Sequence, residues 1–259
     1  MAKPKVLITG ASGLIGGLTI AGLSDKYEFS GLCRRPVPGI SCLQADINDA
    51  EAIKPAFKGM DMVLHLAAYV KDINEWEGTM TTTVMGTLNV FRAAQEAGIK
   101  RVVFMSSGST MCGYEWDDTL PYGKLAAGEY DKAGNEWPML DYRDLPRPDS
   151  PYAVGKLFGE ACARWFSDHY GMSVPCIRLG AVLDGDKPKL LRHFPGYLSQ
   201  TDAVQIIDKC LSAPMTVKYG LFNAISENRY RWRRTDLAKE VLGWRPTGSA
   251  DKYDPDEFR

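Results

Sequence analysis

Short apolar runs alternate with amphipathic stretches through the first two thirds of the chain. The runs have the length of strands, and the stretches between them place apolar residues at helical spacing. The predicted strands are Lys5–Thr9, Glu28–Cys33, Met62–Leu66, Arg101–Met105 and Ser173–Arg178, and the predicted helices are Leu14–Ser24, Trp76–Ala97 and Tyr152–Tyr170. Strands that alternate with helices indicate repeated βαβ units. The pattern therefore predicts an α/β fold built on a doubly wound parallel sheet.

The alternation becomes irregular after Leu179. The later elements are a helix near Thr201–Leu211, a strand near Lys218–Ala224 and a helix near Thr235–Val241. We therefore predict a larger domain at residues 1–178 and a small C-terminal lobe at residues 179–259. Within the larger domain, residues of about 111–149 lack periodicity but contain many aromatic side chains, which predicts an ordered insertion rather than disorder.

Composition excludes several classes of partner. The 31 basic and 32 acidic residues give a net charge of -1, which does not favour nucleic acid or an anionic membrane surface. The N-terminus lacks a signal segment and the apolar runs are shorter than the ~20 residues of a membrane span, so we predict a cytoplasmic protein. The six cysteines show no CxxC spacing, which predicts reduced structural thiols and no metal site. A homodimer is the default expectation.

A glycine-rich turn, Thr9-Gly-Ala-Ser-Gly-Leu-Ile-Gly16, connects the first strand to the first helix. At such a turn glycines allow a sharp bend and close approach of a pyrophosphate, and the helix N-terminus favours negative charge. The spacing predicts the dinucleotide-binding turn of a Rossmann fold, the alternative being three turn glycines of an ordinary α/β domain. The predicted cofactor contacts here are Gly10, Ser12, Gly13, Leu14, Ile15 and Gly16.

The end of the second strand determines which dinucleotide is preferred. An acid there would bind a ribose hydroxyl, whereas an arginine accommodates a 2′-phosphate. This chain has Cys33-Arg34-Arg35, so Arg34 and Arg35 predict NADP, with NAD as the alternative if both arginines are only solvated loop residues. Asp46 follows a third short apolar run, where it either contacts adenine or caps the next helix.

Tyr152 and Lys156 are four residues apart and therefore share one face of a predicted helix. A phenol with a pKa near ~10 needs a neighbouring positive charge to act as a base at neutral pH. Lys156 supplies that charge, and a strand ending in Ser106-Ser107 precedes the pair. We predict Tyr152 and Lys156 as catalytic residues, the alternative being an exposed helix face.

These segments resemble the extended short-chain dehydrogenases of the NAD-dependent epimerase/dehydratase family, over about two thirds of the chain. The matching segments are Thr9–Gly16, Asp46-Ile47, His65-Leu-Ala-Ala68, Gly86-Thr-Leu-Asn89, Ser106-Ser107 and Tyr152–Lys156. The resemblance implies that residues 1–178 bind NAD(P) and residues 179–259 form a substrate-binding region. It adds a catalytic serine, Ser107 or else Ser109, of which Ser107 is favoured by its place at the strand end. The implied additional cofactor contacts are Ile47, Leu66, Ala67 and Ala68.

Within this family the chain is most similar to the short uronate and aldose dehydrogenases. The motifs are Arg147–Tyr152, Phe158-Gly-Glu160, Ile177–Gly180, Tyr197-Leu-Ser199 and Leu242–Pro246. In that branch an arginine before the Tyr-Leu-Ser segment binds the sugar carboxylate, which implies this role for Arg192, the alternative being an ordinary surface charge. Gly108-Ser109 stands where that branch has Asn-His, and Val70 replaces a polar residue. The implied substrate contacts are Ser107, Gly108, Ser109, Tyr152 and Arg192.

The sequence therefore predicts an NAD(P)-dependent oxidoreductase that acts on a hydroxyl or carbonyl of a sugar or sugar acid. Tyr152 would move the proton, Lys156 would stabilise the phenolate and hold the nicotinamide ribose, and Ser107 would hydrogen-bond the reacting oxygen. One alternative is a nucleotide-sugar epimerase or dehydratase that retains its NAD. The other is a regulator that senses NADP without catalysis.

Overall fold

The computed structural model describes residues 2–259 and contains a seven-stranded sheet. The strands are β1 (Lys5–Thr9), β2 (Glu28–Cys33), β3 (Ser41–Gln44), β4 (Met62–His65), β5 (Arg101–Ser107), β6 (Val174–Leu179) and β7 (Tyr219–Ala224). Their order is β3-β2-β1-β4-β5-β6-β7, and the four pairings from β3 to β5 are parallel. This is the strand order of a doubly wound dinucleotide-binding sheet, which confirms the predicted fold class.

Ten α-helical segments connect and follow the strands in the described residues 2–259. They are α1 (Leu14–Leu23), α2 (Ala50–Phe57), α3 (Trp76–Gly78), α4 (Gly86–Glu96), α5 (Tyr122–Ala126), α6 (Tyr130–Ala133), α7 (Pro151–Tyr170), α8 (His193–Gly196), α9 (Gln200–Leu211) and α10 (Asp236–Leu242). A π-helical segment, Thr79–Met85, joins α3 to α4 into the long helical stretch that the sequence predicts. Among residues 2–259, no helix combines the length and apolarity that crossing a bilayer requires.

The chain forms two compact units. The first consists of residues up to Ser106, Ser150–Ile177 and Cys210–Leu221, and the second of Ser107–Asp149, Arg178–Lys209 and Phe222–Arg259. The predicted insertion and most of residues 179–259 thus fall in the second unit. Whether the units also divide cofactor binding from substrate binding stays a prediction.

The core of the first unit lies on the strands and on the helices that cover them. Strand β1 buries four of its five residues, because a parallel strand covered on both faces has no solvent side. Phe91 of α4 stacks on Phe166 of α7 with ring centroids 5.1 Å apart, and both rings are buried. Gly155 of α7 lies against Thr79 and Thr83, where a Cβ would meet their side chains at 2.9 and 3.0 Å. The close approach of these helical segments places the start of α7 deep in the unit.

The second unit is held together by aromatic side chains from two distant parts of the chain. Tyr130 stacks on Tyr230 at a centroid distance of 3.5 Å, and Tyr122 packs on the buried Trp232 at 5.0 Å. The Leu140 N–H donates to the Trp232 carbonyl at 2.9 Å. These contacts explain why residues of about 111–149 are ordered although they contain only short helices.

Candidate active site

The glycine turn has the backbone geometry that its sequence predicts. Gly10 has φ +71°, and a Cβ there would lie 2.9 Å from the backbone of Ala67. A Cβ at Gly16 would overlap the backbone of Ala11, so this glycine lets α1 pack closely on the turn. Both positions therefore require glycine for conformation or for space.

The N-terminus of α1 offers free backbone donors. Gly13 is its N-cap, and no side chain in the described residues accepts a hydrogen bond at this end. The first N–H groups of a helix lack intrahelical partners and attract anions. The arrangement suits a phosphate group.

A cavity of about 520 Å³ in the first unit collects most of the predicted cofactor contacts. The lining residues that were predicted are Gly10, Ser12, Gly13, Arg34, Arg35, Asp46, Ile47, Leu66, Ala67 and Ala68. Five predicted cofactor contacts do not line it: Leu14, Ile15 and Gly16 begin α1, and Tyr152 and Lys156 belong to α7. The lining residues that were not predicted as cofactor contacts are Leu32, Cys33, Ala45, Val70 and Thr82.

A buried histidine supports the wall of this cavity. Thr9 Oγ1 lies 2.6 Å from His65 Nδ1, and His65 Nε2 lies 3.0 Å from Thr87 Oγ1. The Ala67 N–H donates to Thr9 Oγ1 at 3.2 Å, which holds the segment after β4 in place. Burial, together with the charge of Lys156, lowers the pKa of His65 to about 3. His65 is therefore a neutral structural residue.

The residue at the end of β2, Cys33, lines the cavity and is not acidic. Cys33 donates its thiol hydrogen to the Arg35 carbonyl at 3.0 Å and has its Sγ 2.8 Å from Cys42 Sγ. Burial and the neighbouring Cys42 raise the pKa of Cys33 to about 12, so the thiol is uncharged. Asp46 accepts from the Asn48 N–H, whereas Asp49 caps α2, so the helix-cap interpretation of Asp46 is wrong.

Helix α7 begins where its sequence predicts. Ser150 accepts from the Ala153 N–H at 3.2 Å, and Pro151 occupies the first helical position, where no N–H is needed. The Tyr152 N–H donates to the Ile73 carbonyl at 3.1 Å. Tyr152 is therefore fixed at the first turn of α7, with Lys156 one turn later.

Lys156 is a fully buried cationic residue of the first unit. Its side chain is 1% exposed, and Nζ donates to the Met105 carbonyl at 2.7 Å. Nζ also lies 5.6 Å from the centre of the Tyr152 ring and 5.2 Å from that of Phe104. Burial lowers the pKa of Lys156 to about 7. Such a shift at a buried lysine beside a tyrosine is typical of functional sites.

The two serines at the end of β5 have different surroundings. Ser106 is buried and donates to the Glu160 carboxylate at 2.6 Å within the first unit. Ser107 belongs to the second unit, where its Oγ accepts from the Ser109 N–H at 3.2 Å. Both Ser107 and Ser109 line a cavity of the second unit, so the choice between them stays a prediction in favour of Ser107.

This second cavity has a volume of about 270 Å³. It is lined by Ser107, Gly108, Ser109, Cys112, Glu115, Leu179, Gly180, Ala181, Leu190, Arg192, His193, Gly196 and Arg233. All predicted substrate contacts of the second unit are therefore brought together. His193 accepts the Lys189 N–H at Nδ1, which leaves its ring hydrogen on Nε2. Burial, together with Arg192 and Lys189, lowers the pKa of His193.

Arg192 is held by two carboxylates. Its Nε donates to Glu115 Oε2 and its Nη2 to Asp149 Oδ2, each at 2.6 Å. The acids are largely buried, with side chains 9% and 5% exposed, whereas the Arg192 side chain is 44% exposed. No role was predicted for Glu115, His193 and Arg233, which belong to no motif, or for Asp149, which lies within the Arg147–Tyr152 motif. The carboxylate-binding role of Arg192 stays a prediction.

Comparison with known proteins identifies the family. The profile of the NAD dependent epimerase/dehydratase family matches residues 6–189. An NAD-dependent glucose-6-phosphate dehydrogenase from Haloferax volcanii is 28% identical over 258 residues, which is 96% of this chain and 95% of the relative. L-arabinose 1-dehydrogenase (NAD(P)(+)) from the same organism is 29% identical over 251 residues, 93% of this chain and 96% of the relative.

A solved structure agrees with these relatives. A mutant of uronate dehydrogenase from Agrobacterium tumefaciens, complexed with NAD, is similar with a TM-score of 0.84 and 26% identity, covering 100% of this chain and 91% of that chain. The chain belongs to the NAD-dependent epimerase/dehydratase family, as its glycine turn and Tyr-Lys spacing predict. The predicted enzyme class, a short-chain dehydrogenase/reductase-type oxidoreductase, is confirmed.

Proposed function

We propose that this protein oxidises a hydroxyl group of a sugar or sugar acid with NAD(P), or catalyses the reverse reduction. The observation that carries the proposal is the Tyr152–Lys156 pair, with a buried Lys156 Nζ 5.6 Å from the tyrosine ring. Similarity to glucose-6-phosphate, arabinose and uronate dehydrogenases over nearly the whole chain supports a sugar substrate.

The first-unit cavity fits a nicotinamide dinucleotide. The left-handed Gly10 and the uncapped N-terminus of α1 leave backbone donors for the pyrophosphate. Ala67 and Ala68, held in place through Thr9, would contact the middle of the cofactor, and Asp46 and Ile47 the adenine side. When bound, the cofactor would supply the hydride acceptor or donor.

The same cavity favours NADP. Arg34 and Arg35 line its far end, and the neutral Cys33 thiol brings no negative charge that would repel a 2′-phosphate. The planar guanidinium fork suits a phosphate group better than a hydroxyl. We therefore infer NADP as the preferred cofactor and NAD as the alternative.

Tyr152 would accept the proton of the substrate hydroxyl during oxidation. When Lys156 is protonated, its buried ammonium acts through a medium of low dielectric and favours a phenolate nearby. The Met105 carbonyl accepts one of its hydrogens, which orients Nζ. We retain Ser107 as the predicted partner of the reacting oxygen.

The test is an absorbance assay at the nicotinamide band. Purified protein is offered L-arabinose, glucose, glucuronate and glucose 6-phosphate, with NAD and NADP in parallel and Tyr152→Phe as the negative control. We expect turnover of at least one sugar that Tyr152→Phe loses. Tightly bound NAD together with no net reduction of added cofactor would instead indicate an epimerase or dehydratase and contradict the proposal.

A further inference from the structure

Arg233 is a buried cation of the second unit with unused donors. Its residue is 4% exposed and lines the 270 Å³ cavity. Within residues 2–259, neither its Nε nor its Nη1 has a hydrogen-bond partner. A guanidinium stays charged at all relevant pH, and burying such donors without acceptors costs free energy. The fold thus keeps a buried guanidinium with two unbonded nitrogens at the wall of the cavity.

Gly108 makes this position of Arg233 possible. A Cβ at residue 108 would collide with Arg233 Nη1 and come within 3.2 Å of the Leu179 carbonyl oxygen. The Arg233 guanidinium also lies over the Trp232 ring, with Cζ 4.7 Å from the centroid. The guanidinium is therefore buried in contact with both the Gly108 backbone and the Trp232 indole.

Arg192, the other cation of the cavity wall, differs in this respect. Glu115 and Asp149 already occupy its Nε and Nη2 with bonds of 2.6 Å. Because both acids are committed to Arg192, an anionic ligand would find unused donors on Arg233 rather than on these two nitrogens. Arg192, the anion-binding residue that the sequence predicts, is therefore the competing assignment, and the experiment below tests both.

We propose that Arg233 binds an anionic oxygen group of the substrate, a carboxylate or a phosphate, in the second-unit cavity. The inference rests on the proposed function and names its substrate class as an acidic sugar. A guanidinium binds either group through paired N–H donors. The experiment distinguishes a carboxylate from a phosphate by using one probe of each kind.

Isothermal titration calorimetry with glucuronate and with inorganic phosphate measures binding without turnover. For Arg233→Leu we expect the affinity for the probe that binds to fall by about 10- to 150-fold, the range of a charge-assisted hydrogen bond. Arg234→Ala is the matched control, since that side chain is 54% exposed and lies 3.5 Å from Asp236 at the surface. In kinetics, KM for glucuronate or glucose 6-phosphate should rise in Arg233→Leu, while KM for L-arabinose changes little.

Gly108→Ala provides a second variant, because it displaces the guanidinium without removing it. If circular dichroism shows that Arg233→Leu does not fold, Gly108→Ala serves as the test of anion binding in its place. Three results would overturn the inference. The first is an equal loss for acidic and neutral sugars, and the second is a loss of anion binding in Arg192→Leu but not in the Arg233 and Gly108 variants. The third is that the unaltered protein binds neither anion. Anion binding through Arg233 without oxidation of any sugar would uphold it and refute the proposed function instead.

Discussion

The two cavities are built from different parts of the polypeptide. In the first unit the decisive groups belong to the backbone, since the Gly10 turn and the start of α1 present N–H donors from one contiguous segment. In the second unit they are side chains, and Arg192 pairs with Glu115 across 77 positions of sequence. A backbone-built site depends on local dihedral angles and is visible as a motif, whereas a side-chain-built site depends on packing.

This contrast has a chemical consequence. Backbone N–H donors are present in every protein of the family that keeps the glycine turn. The first cavity is therefore suited to a ligand that the whole family shares. Charged side chains from separate segments change one at a time, so the second cavity is suited to differences in substrate. The following predictions test the comparison, from the largest expected effect to the smallest.

Tyr152→Phe should reduce kcat by about 10²- to 10⁴-fold, because the variant loses proton transfer. Its affinity for the dinucleotide, measured by fluorescence titration, should stay close to that of the unaltered protein, since the turn at Gly10 does the binding. Tyr170→Phe, near the exposed end of the same helix, is the matched control and should keep its activity. Retention of most of kcat by Tyr152→Phe would remove this residue from the mechanism.

Lys156→Met should stabilise the cofactor-free protein at low pH. The folded pKa of about 7 lies below the ordinary value of 10.5, so the unfolded chain binds the proton first as the pH falls. The free energy of unfolding of the wild type therefore declines as the pH falls from 10.5 to about 7. Below pH 7 the full cost of burying the protonated Lys156 remains. We expect the variant to exceed the wild type by ~2–5 kcal/mol near pH 6, with a difference that shrinks toward pH 10, in urea unfolding.

Lys54→Met is the control for this pH dependence. Lys54 is exposed, and its pKa is raised mainly by its bond to Glu51, so its removal should bring no gain that grows at low pH. A difference between Lys156→Met and wild type that is the same at every pH would mean that Lys156 is charged at no cost in the folded state.

Gly10→Ala should weaken both the fold and dinucleotide binding. Alanine would have to adopt φ +71° with its Cβ 2.9 Å from Ala67, at a cost of ~1–3 kcal/mol. Gly17→Ala is a control of opposite sign, because a Cβ there meets nothing within 4 Å and an alanine in a helix gains ~0.5–1 kcal/mol. Thermal unfolding with and without NADP measures the stability and the dinucleotide binding of both variants. The same change in unfolding temperature for Gly10→Ala and Gly17→Ala would contradict the role of Gly10.

Replacing Arg34 and Arg35 by alanine should have the smallest effect. Both are exposed, so salt screens their attraction for a 2′-phosphate, and we expect the kcat/KM ratio of NADP over NAD to fall by about tenfold or less. The loss should be larger at low ionic strength. An unaltered protein that clearly prefers NAD, or a ratio that the double variant leaves unchanged, would refute the assignment.

The strands, the glycine turn and the Tyr152–Lys156 spacing could be predicted from the sequence alone. Apolar periodicity and the need for glycine at Gly10 are local properties, which the chain carries wherever it folds. The boundaries of β1 and β2 match the prediction, and those of α7 differ by one residue. Residues of about 111–149 gave no such signal beyond their aromatic content, because only packing against Tyr230 and Trp232 orders them.

Tertiary structure alone decided the charges of the candidate site. Whether Lys156 is an ordinary ammonium or one with a pKa of about 7 depends on how completely Phe104 and its neighbours exclude water. Whether Arg192 is free or already paired depends on Glu115 and Asp149, which approach it only after folding. Solvation and Coulomb energies vary with distance in space rather than with position in the chain, so no local pattern encodes them.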